Sequence, residues 1–259
     1  MAPLGPGVRR VIGDDDLREV ATDGGVSVLR PSSPGRDLLV LHGAGSAASA
    51  VVREAEQLGR LDGRGPAPEV LASGRSDEGD EALVLRLPAT ATPLAGGHAT
   101  DPLRLVTAVS GALRELHASP PGPEACDVGP TSLRETIVAR VARGRIAEAP
   151  AGPYAGRSPE DLSGLLDRLL ERVDPSDPVV VHGGLSPSRI WVDVDGGIHF
   201  TGWRGSGAGD RHLDIAAAAV AVAEVFGSAL VPPLLEAYGP AEVDSAALDA
   251  FQLLVHLLR

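Results

Sequence analysis

Apolar and polar positions alternate with a period of two in the first third of the chain and follow a helical period in the rest. In "GGVSVLRPSSPGRDLLVLHG" two β-rich runs flank a turn carrying Pro31, Pro34 and Gly35, which predicts a hairpin. "SAASAVVREAEQLGRLDG" follows as a helix, with Ser46 as its N-cap and Gly63 as its stop. "PAPEVLASGRSDEGDEALVLRLP" reads as two strands about an acidic, glycine-containing turn. From Asp101 the spacing is helical in "PLRLVTAVSGALRELHA", "SLRETIVARVARGRI" and "SPEDLSGLLDRLLERV". The last of these opens on Ser158, Pro159 and Glu160, residues suited to a first turn. A strand, a His-Gly turn, a β-hairpin and a helix from Asp214 then occupy 181–216, and a terminal helix "SAALDAFQLLVHLLR" closes the sequence. No repeat is present, and the Pro/Gly-rich piece 119–130 reads as a loop. The expected organisation is a small sheet-rich lobe over 1–87 and a larger, mostly helical lobe over 88–259.

Composition narrows the partners. The chain has 259 residues, 43% of them apolar, enough for two lobes with a core. A net charge of −12 argues against nucleic acid or an anionic membrane surface as a partner. A single cysteine, Cys126, allows no internal disulfide and points to a reducing compartment. The N-terminal stretch lacks the apolar core of a signal peptide and no run approaches ~18 apolar residues, so a soluble, cytoplasmic protein is expected. The chain contains neither lysine nor asparagine. A GC-rich genome accounts for arginine on the surface, but a site that requires Lys or Asn cannot exist here.

The segment "VHGGLSPSRIWVDVDGGIHFTGWRGSGAGDRHLDIA", with "REAEQLGRLDGRGPAPEVLASG", "ALRELHA", "GRSPEDL" and "LLEAYG", resembles the aminoglycoside 3′-phosphotransferases, some of them antibiotic-resistance enzymes, from about Val20 to Leu258. The resemblance implies an α+β, bilobal, protein-kinase-like fold, and transfer of the γ-phosphate of ATP, with magnesium, to a hydroxyl of a cationic aminosugar. In that family the catalytic loop reads His-Gly-Asp, four residues, then Asn. The Asp deprotonates the acceptor and the Asn holds metal. Here the loop is "HGGLSPSR", so Gly184 stands at the Asp position and Arg189 at the Asn position. The family's second metal ligand, an Asp, aligns with Gly202 in "FTGWRG". His42 stands where the family has a strand lysine, and Glu54 matches its partner glutamate. The loop over the phosphates, "TDGGVSV", is shorter than usual, and Val255 and His256 replace a terminal acidic pair, with Arg259 adding positive charge.

Phosphoryl transfer rests on positioning and on metal held by oxygen ligands. Glycine at both carboxylate positions removes base and anionic ligand together, and general acid–base help alone is typically worth ~10²–10⁴-fold. The residues whose family counterparts brace loops, His182, Asp210 and Asp214, remain. The expectation is therefore a pseudokinase, a binding or scaffold protein whose cleft holds a small molecule, peptide or partner enzyme, with an accessory role in natural-product biosynthesis as one setting. No cofactor and no metal site are expected. Two alternatives stay open: an active ATP- and magnesium-dependent phosphotransferase with a rebuilt site, and an enzyme of another reaction type using the old cleft. The candidate cleft-binding residues are His42, Glu54, His182, Arg189 and Asp210, with Asp214 structural. His42 is expected to be a strand-end residue facing Glu54, with the cleft below it, and Arg189 to pair with Asp210 or Glu54 or to hold an external anion. Asp193 and Asp195 in "DVDGG" read as hairpin-turn residues rather than metal ligands, and His117 as a packing residue.

Overall fold

The computed structural model describes residues 4–96, 101–146, 154–174 and 176–258. A short helix, α1 (Pro6–Ile12), precedes a five-stranded antiparallel sheet of β1 (Leu17–Asp23), β2 (Val26–Pro31), β3 (Leu38–Gly43), β4 (Val70–Arg75) and β5 (Glu81–Arg86), in the order β1-β2-β3-β5-β4. Alternation along the strands gives the sheet two apolar faces. Leu39, Leu41, Leu83 and Leu85 pack with the helix α2 (Ala48–Leu61) and the rest of the main core, whereas Leu38, Val40, Ala82 and Val84 pack under Val8 and Ile12 of α1. The β1–β2 connection is a two-residue turn, Gly24–Gly25, closing the pair Asp23↔Val26. Both glycines lie at positive φ, 57° and 83°, the conformation that a tight hairpin of matching twist demands. The two-residue turn leaves no loop to drape over a ligand.

The remaining residues form the helical lobe. The helices are α3 (Pro102–His117), α4 (Pro130–Ala142), α5 (Pro159–Leu170), α6 (His212–Phe226), α7 (Val231–Tyr238) and α8 (Ser245–Leu258). Its strands are short: β6 (Thr92–Pro93), β8 (Ile190–Val192) and β9 (Ile198–Phe200) form one small sheet, and β7 (Val179–Val181) pairs with β10 (Gly207–Gly209). Alanines 216–219 and 221 of α6 are buried, which lets that helix run through the centre of the lobe against α8. Among the described residues no helix is long and apolar enough to cross a membrane.

Three local expectations are corrected. Ser46 does not cap α2: it sits inside a 3₁₀ turn, Gly45–Ala47, that leads into the helix without a side-chain cap. The helix ends on Asp62, held left-handed at φ 50°, one residue before Gly63. The helix α6 begins at His212, two residues earlier than expected, because the Asp210 carboxylate accepts from the His212 amide at 2.8 Å. Ser158 does cap α5, its hydroxyl accepting from the Asp161 amide at 3.1 Å. Ser158→Ala is expected to lower stability by about 1 kcal/mol, and Ser46→Ala to leave it within ~0.5 kcal/mol. Urea denaturation of both variants checks this; equal losses would contradict the cap assignment.

Candidate functional site

The turn after β7 is held by a buried carboxylate. Asp214, at the start of α6 and fully buried, accepts from the His182 amide at 2.6 Å and the Gly183 amide at 2.9 Å. Its Oδ2 also lies 3.3 Å from His117 Nε2, and His117 Nδ1 meets the Tyr238 hydroxyl at 2.8 Å. Burial pushes the Asp214 carboxyl up, but the imidazole and amide partners outweigh it and hold the group below its ordinary value. The His182 ring is also buried. Its Nε2–H donates to the Thr201 carbonyl at 3.0 Å, and it rests against Trp203 with ring centroids 4.6 Å apart. Burial first, with the nearby Arg189 charge adding to it, lowers its pKa to about 4. These groups fix the loop's shape. His182 therefore packs beneath the cleft rather than lining it, which corrects its place among the cleft-binding candidates.

The loop carries Arg189, and the expectation for its partner is also corrected. Neither Asp210 nor Glu54 pairs with it. Asp23, the last residue of β1, does: Arg189 Nε donates to Oδ2 at 2.9 Å and Nη2 to Oδ1 at 2.7 Å, while Nη1 reaches the Gly184 carbonyl at 2.6 Å. Arg204 Nη2 adds a third contact to Asp23 Oδ2 at 3.0 Å. Burial raises the Asp23 carboxyl, and the hydrogen bonds and charges of Arg189 and Arg204 overcome this, so it stays ionised to lower pH than an ordinary aspartate. The tip of the small sheet is thus fastened to the helical lobe by a bidentate ion pair.

Arg189 occupies the room beside both glycines. A Cβ added at Gly202 would stand 2.6 Å from Arg189 Cδ and 2.7 Å from Nε, and Gly202 has a left-handed φ of 84°. A Cβ at Gly184 would stand 2.8 Å from Arg189 Nη1. Asp210, by contrast, is engaged with Ser176 (2.7 Å) and with the His212 ring (2.7 Å), bracing the start of α6. Asp193 accepts from the Asp195 and Gly197 amides at 3.0 and 2.8 Å and fixes the hairpin turn. Among the described residues no cluster of three or more His, Cys, Asp or Glu could hold a metal ion.

In the small lobe, Glu54 on α2 is buried and its Oε1 accepts from the Gly202 amide at 2.6 Å. Burial, its largest influence, raises the carboxyl despite the Gly202 and Trp203 amides. His42 does not face it. His42 pairs across the sheet with Ser27 and Ala82 and shares the α1-side face with Val40 and Val84, its Nε2 3.3 Å from Asp80. The approach to Asp80 is that of an ion pair and not of a hydrogen bond. The residue on the cleft face is Leu41, which borders the same gap as Glu54 and Gly202. An offset of one residue moves a strand side chain to the opposite face.

Arg30, on the same face of β2 as Val26 and Val28, fills the inner end of the cleft. Its guanidinium donates to the carbonyls of Leu38 (3.2 Å), Leu87 (3.1 Å) and Ala91 (3.0 Å) and lies 5.3 Å over the Trp191 ring. It has no carboxylate partner within ion-pair distance among the described residues, and burial lowers its pKa to about 10. The side chain ties the sheet to the connecting segment and to the hairpin of the helical lobe. Between Arg30 and Asp23, the gap bounded by Val28, Leu41, Glu54 and Gly202 encloses about 10 Å³, room for roughly one water. On the other side of the Asp23–Arg189 pair lies an open cavity of about 700 Å³ between the loop 183–187 and α6 and α8. Val255 faces it, whereas the His256 ring packs on Tyr154 with centroids 5.2 Å apart; Arg259 lies outside the described residues.

Asp23, Arg204 and Arg30 were not among the sequence candidates. The signal for Arg30 was its period-two register with Val26 and Val28; for Asp23 it was the Asp-Gly-Gly hairpin tip in a loop already recognised as short.

A sequence profile described as the phosphotransferase enzyme family matches residues 24–251. Among solved structures, an aminoglycoside-3′-phosphotransferase of type VIII superposes with a TM-score of 0.71 at 25% identity, over 97% of this chain and 97% of that one. The aminoglycoside phosphotransferase APH(3″)-Id from Streptomyces rimosus, in complex with ADP and streptomycin, gives 0.75 at 19% identity, over 98% of this chain and 96% of that one. The choline kinase LicA from Streptococcus pneumoniae gives 0.65 at 14% identity, over 95% and 85%. No curated protein matches the chain in sequence.

The buried His182 makes stability depend on pH. Its folded pKa, about 4, lies below the unfolded value of ~6.5, so between these values the unfolded chain binds the extra proton and stability falls as pH falls. A loss of about 2 kcal/mol from this residue is expected between pH 7 and pH 5. Denaturant titrations across that range, on the native chain and His182→Gln, check it: the variant should show a shallower slope, whatever its absolute stability. An unchanged slope would assign the effect elsewhere.

Proposed function

The chain belongs to the phosphotransferase enzyme family, with the kinase-like fold of its aminoglycoside-modifying relatives, and on that premise we propose that it is a binding protein in which phosphoryl transfer has been lost. The observation that carries this reading is the placement of Arg189. A guanidinium fills the space in which two carboxylates would have to stand, and it is neutralised from above by Asp23. A magnesium–triphosphate does not fit these residues. Gly184 and Gly202 offer no side-chain oxygen, and the cleft centre carries a cation rather than a site for one. Leu41 gives Glu54 no cationic partner on the sheet, and Arg30 is committed to the carbonyls of Leu38, Leu87 and Ala91. What remains is a loop held in shape by Asp214 beside a large cavity, a geometry suited to holding a ligand.

The test is acceptor-dependent ADP release from magnesium-ATP with kanamycin-like acceptors, expected at background. Robust release that Arg189→Ala abolishes would establish the rival, an active phosphotransferase with a rebuilt site.

Restoring single residues should not restore turnover. An aspartate at 184 would meet Arg189 and become another partner of the guanidinium rather than a base. An aspartate at 202 would enter a left-handed position against the middle of the Arg189 side chain, at a stability loss of about 1–3 kcal/mol. Gly184→Asp and Gly202→Asp are each expected to stay inactive, with Gly202→Asp also less stable; both are read by ADP release and urea denaturation. Activity of Gly184→Asp alone would show that Arg189 does not block the position.

A further inference from the structure

From the charge and shape of the open cavity we infer that its ligand is an amphipathic anion, one carboxylate-like head joined to an apolar body. This rests on the reading that the site binds rather than transfers, and it gives that site a ligand class opposite in charge to an ammonium-rich aminosugar.

The cavity, about 700 Å³, has the size of sites that enclose a small organic molecule. Three guanidinium groups border it, from Arg53 on α2, Arg189 and Arg204, against two carboxylates, Asp23 and Glu224. The site is therefore locally cationic in a chain whose net charge is −12. The cations are not equally committed. Arg189 directs three donors to Asp23 and the Gly184 carbonyl. Arg204 makes one contact to Asp23 and keeps its other donors. The Arg53 side chain is exposed and forms no hydrogen bond or ion pair with any described residue. Asp23 already takes three donors from the two arginines, two on Oδ2 and one on Oδ1, and its single charge cannot neutralise both guanidiniums.

The opposite wall is apolar. Leu133, Leu213, Ala217, Val255 and Leu258 line it, with Glu224 near the end of α6 the one charged group on the helical side. A ligand with ammonium groups would set them against Arg53 and Arg204. A bare anion would leave the apolar wall exposed to water. A head that reaches Arg53 and Arg204 and a hydrocarbon body laid on α6 and α8 satisfy both surfaces.

Calorimetry with decanoate and decylammonium, matched in chain and opposite in charge, separates the possibilities, with inorganic phosphate as the head-only probe. Decanoate is expected to bind at least about tenfold more tightly than either comparator. Arg204→Gln and Arg53→Gln should each weaken decanoate by about three- to tenfold, and Val255→Asp should do so by placing a carboxylate on the wall. Arg53 is exposed, so its variant reports on binding without a folding defect; Val255 belongs to the buried core, and thermal unfolding separates a folding loss from a binding loss in the other two variants. Equal or tighter binding of decylammonium, no decanoate binding at millimolar concentration, phosphate binding as well as decanoate, or unchanged affinity in both arginine variants would each overturn the assignment. Those outcomes leave the binding reading standing, whereas acceptor-dependent ADP release would remove that reading itself.

Discussion

The contact on which the cleft depends is the one between Asp23 and two arginines of the other lobe. An ion pair at a surface contributes little, but this one is largely sheltered from water, bidentate and shared by a second guanidinium. It fixes three things at once. The hairpin tip of β1 and β2 is drawn onto the loop after β7. Arg189 is held across Gly184 and Gly202. The space between the lobes is divided, with a nearly filled part toward Arg30 and an open part toward α6 and α8. Removing Asp23 would leave Arg189 and Arg204, both only about one-fifth exposed, repelling each other with no counter-charge between them.

Arg30 and Arg189 play parallel roles at the two ends of the closed part. Each is a planar guanidinium with donors aimed in fixed directions, which suits it to bridge elements that otherwise share few contacts. Arg30 does so with carbonyls alone. Its three acceptors come from β3 and the connecting segment, and Trp191 of the helical lobe supplies an aromatic face in place of a carboxylate. Glu54 adds a third link through the Gly202 amide. The lobes are therefore joined along the length of the cleft by polar contacts that are each satisfied, and a rigid closed part follows from that satisfaction.

Much of the scaffold was legible in the sequence because periodicity reports burial. The strands about "DLLVLHG" and "EALVLRLP", the helices from Asp101 onward and the Ser158 cap all follow from spacing and end residues. The seven residues of α1 were too few to show a period. The convergence of Gly184, Arg189 and Gly202 was legible from a motif, but its contents were not. Whether His42 or Leu41 faces Glu54 turns on a single-residue register, which only the sheet pairing resolves. The Asp23–Arg189 pair joins residues 166 positions apart, and no local pattern announces such a partner. Arg30 carries no motif of its own; only its alternation with Val26 and Val28 points it to the inner face.

Three positions of the cleft hang together for a steric and electrostatic reason. Arginine at 189 in the presence of aspartates at 184 and 202 would collide with one and be drawn to the other; glycines at both, with a shorter side chain at 189, would leave a void and an uncompensated Asp23. Glycine, glycine and arginine together with Asp23 is a closed set in which volume is filled and charge is balanced. The same set decides how an incoming anion is received. Asp23 sits on a two-residue turn with no slack, so as a tethered partner it acts on Arg189 at an effective concentration of millimolar or more. A free phosphate or carboxylate must outcompete it there. At Arg53 and the free donors of Arg204 no tethered rival stands in the way, so anion recognition is displaced outward from the old centre, onto the rim of the open cavity.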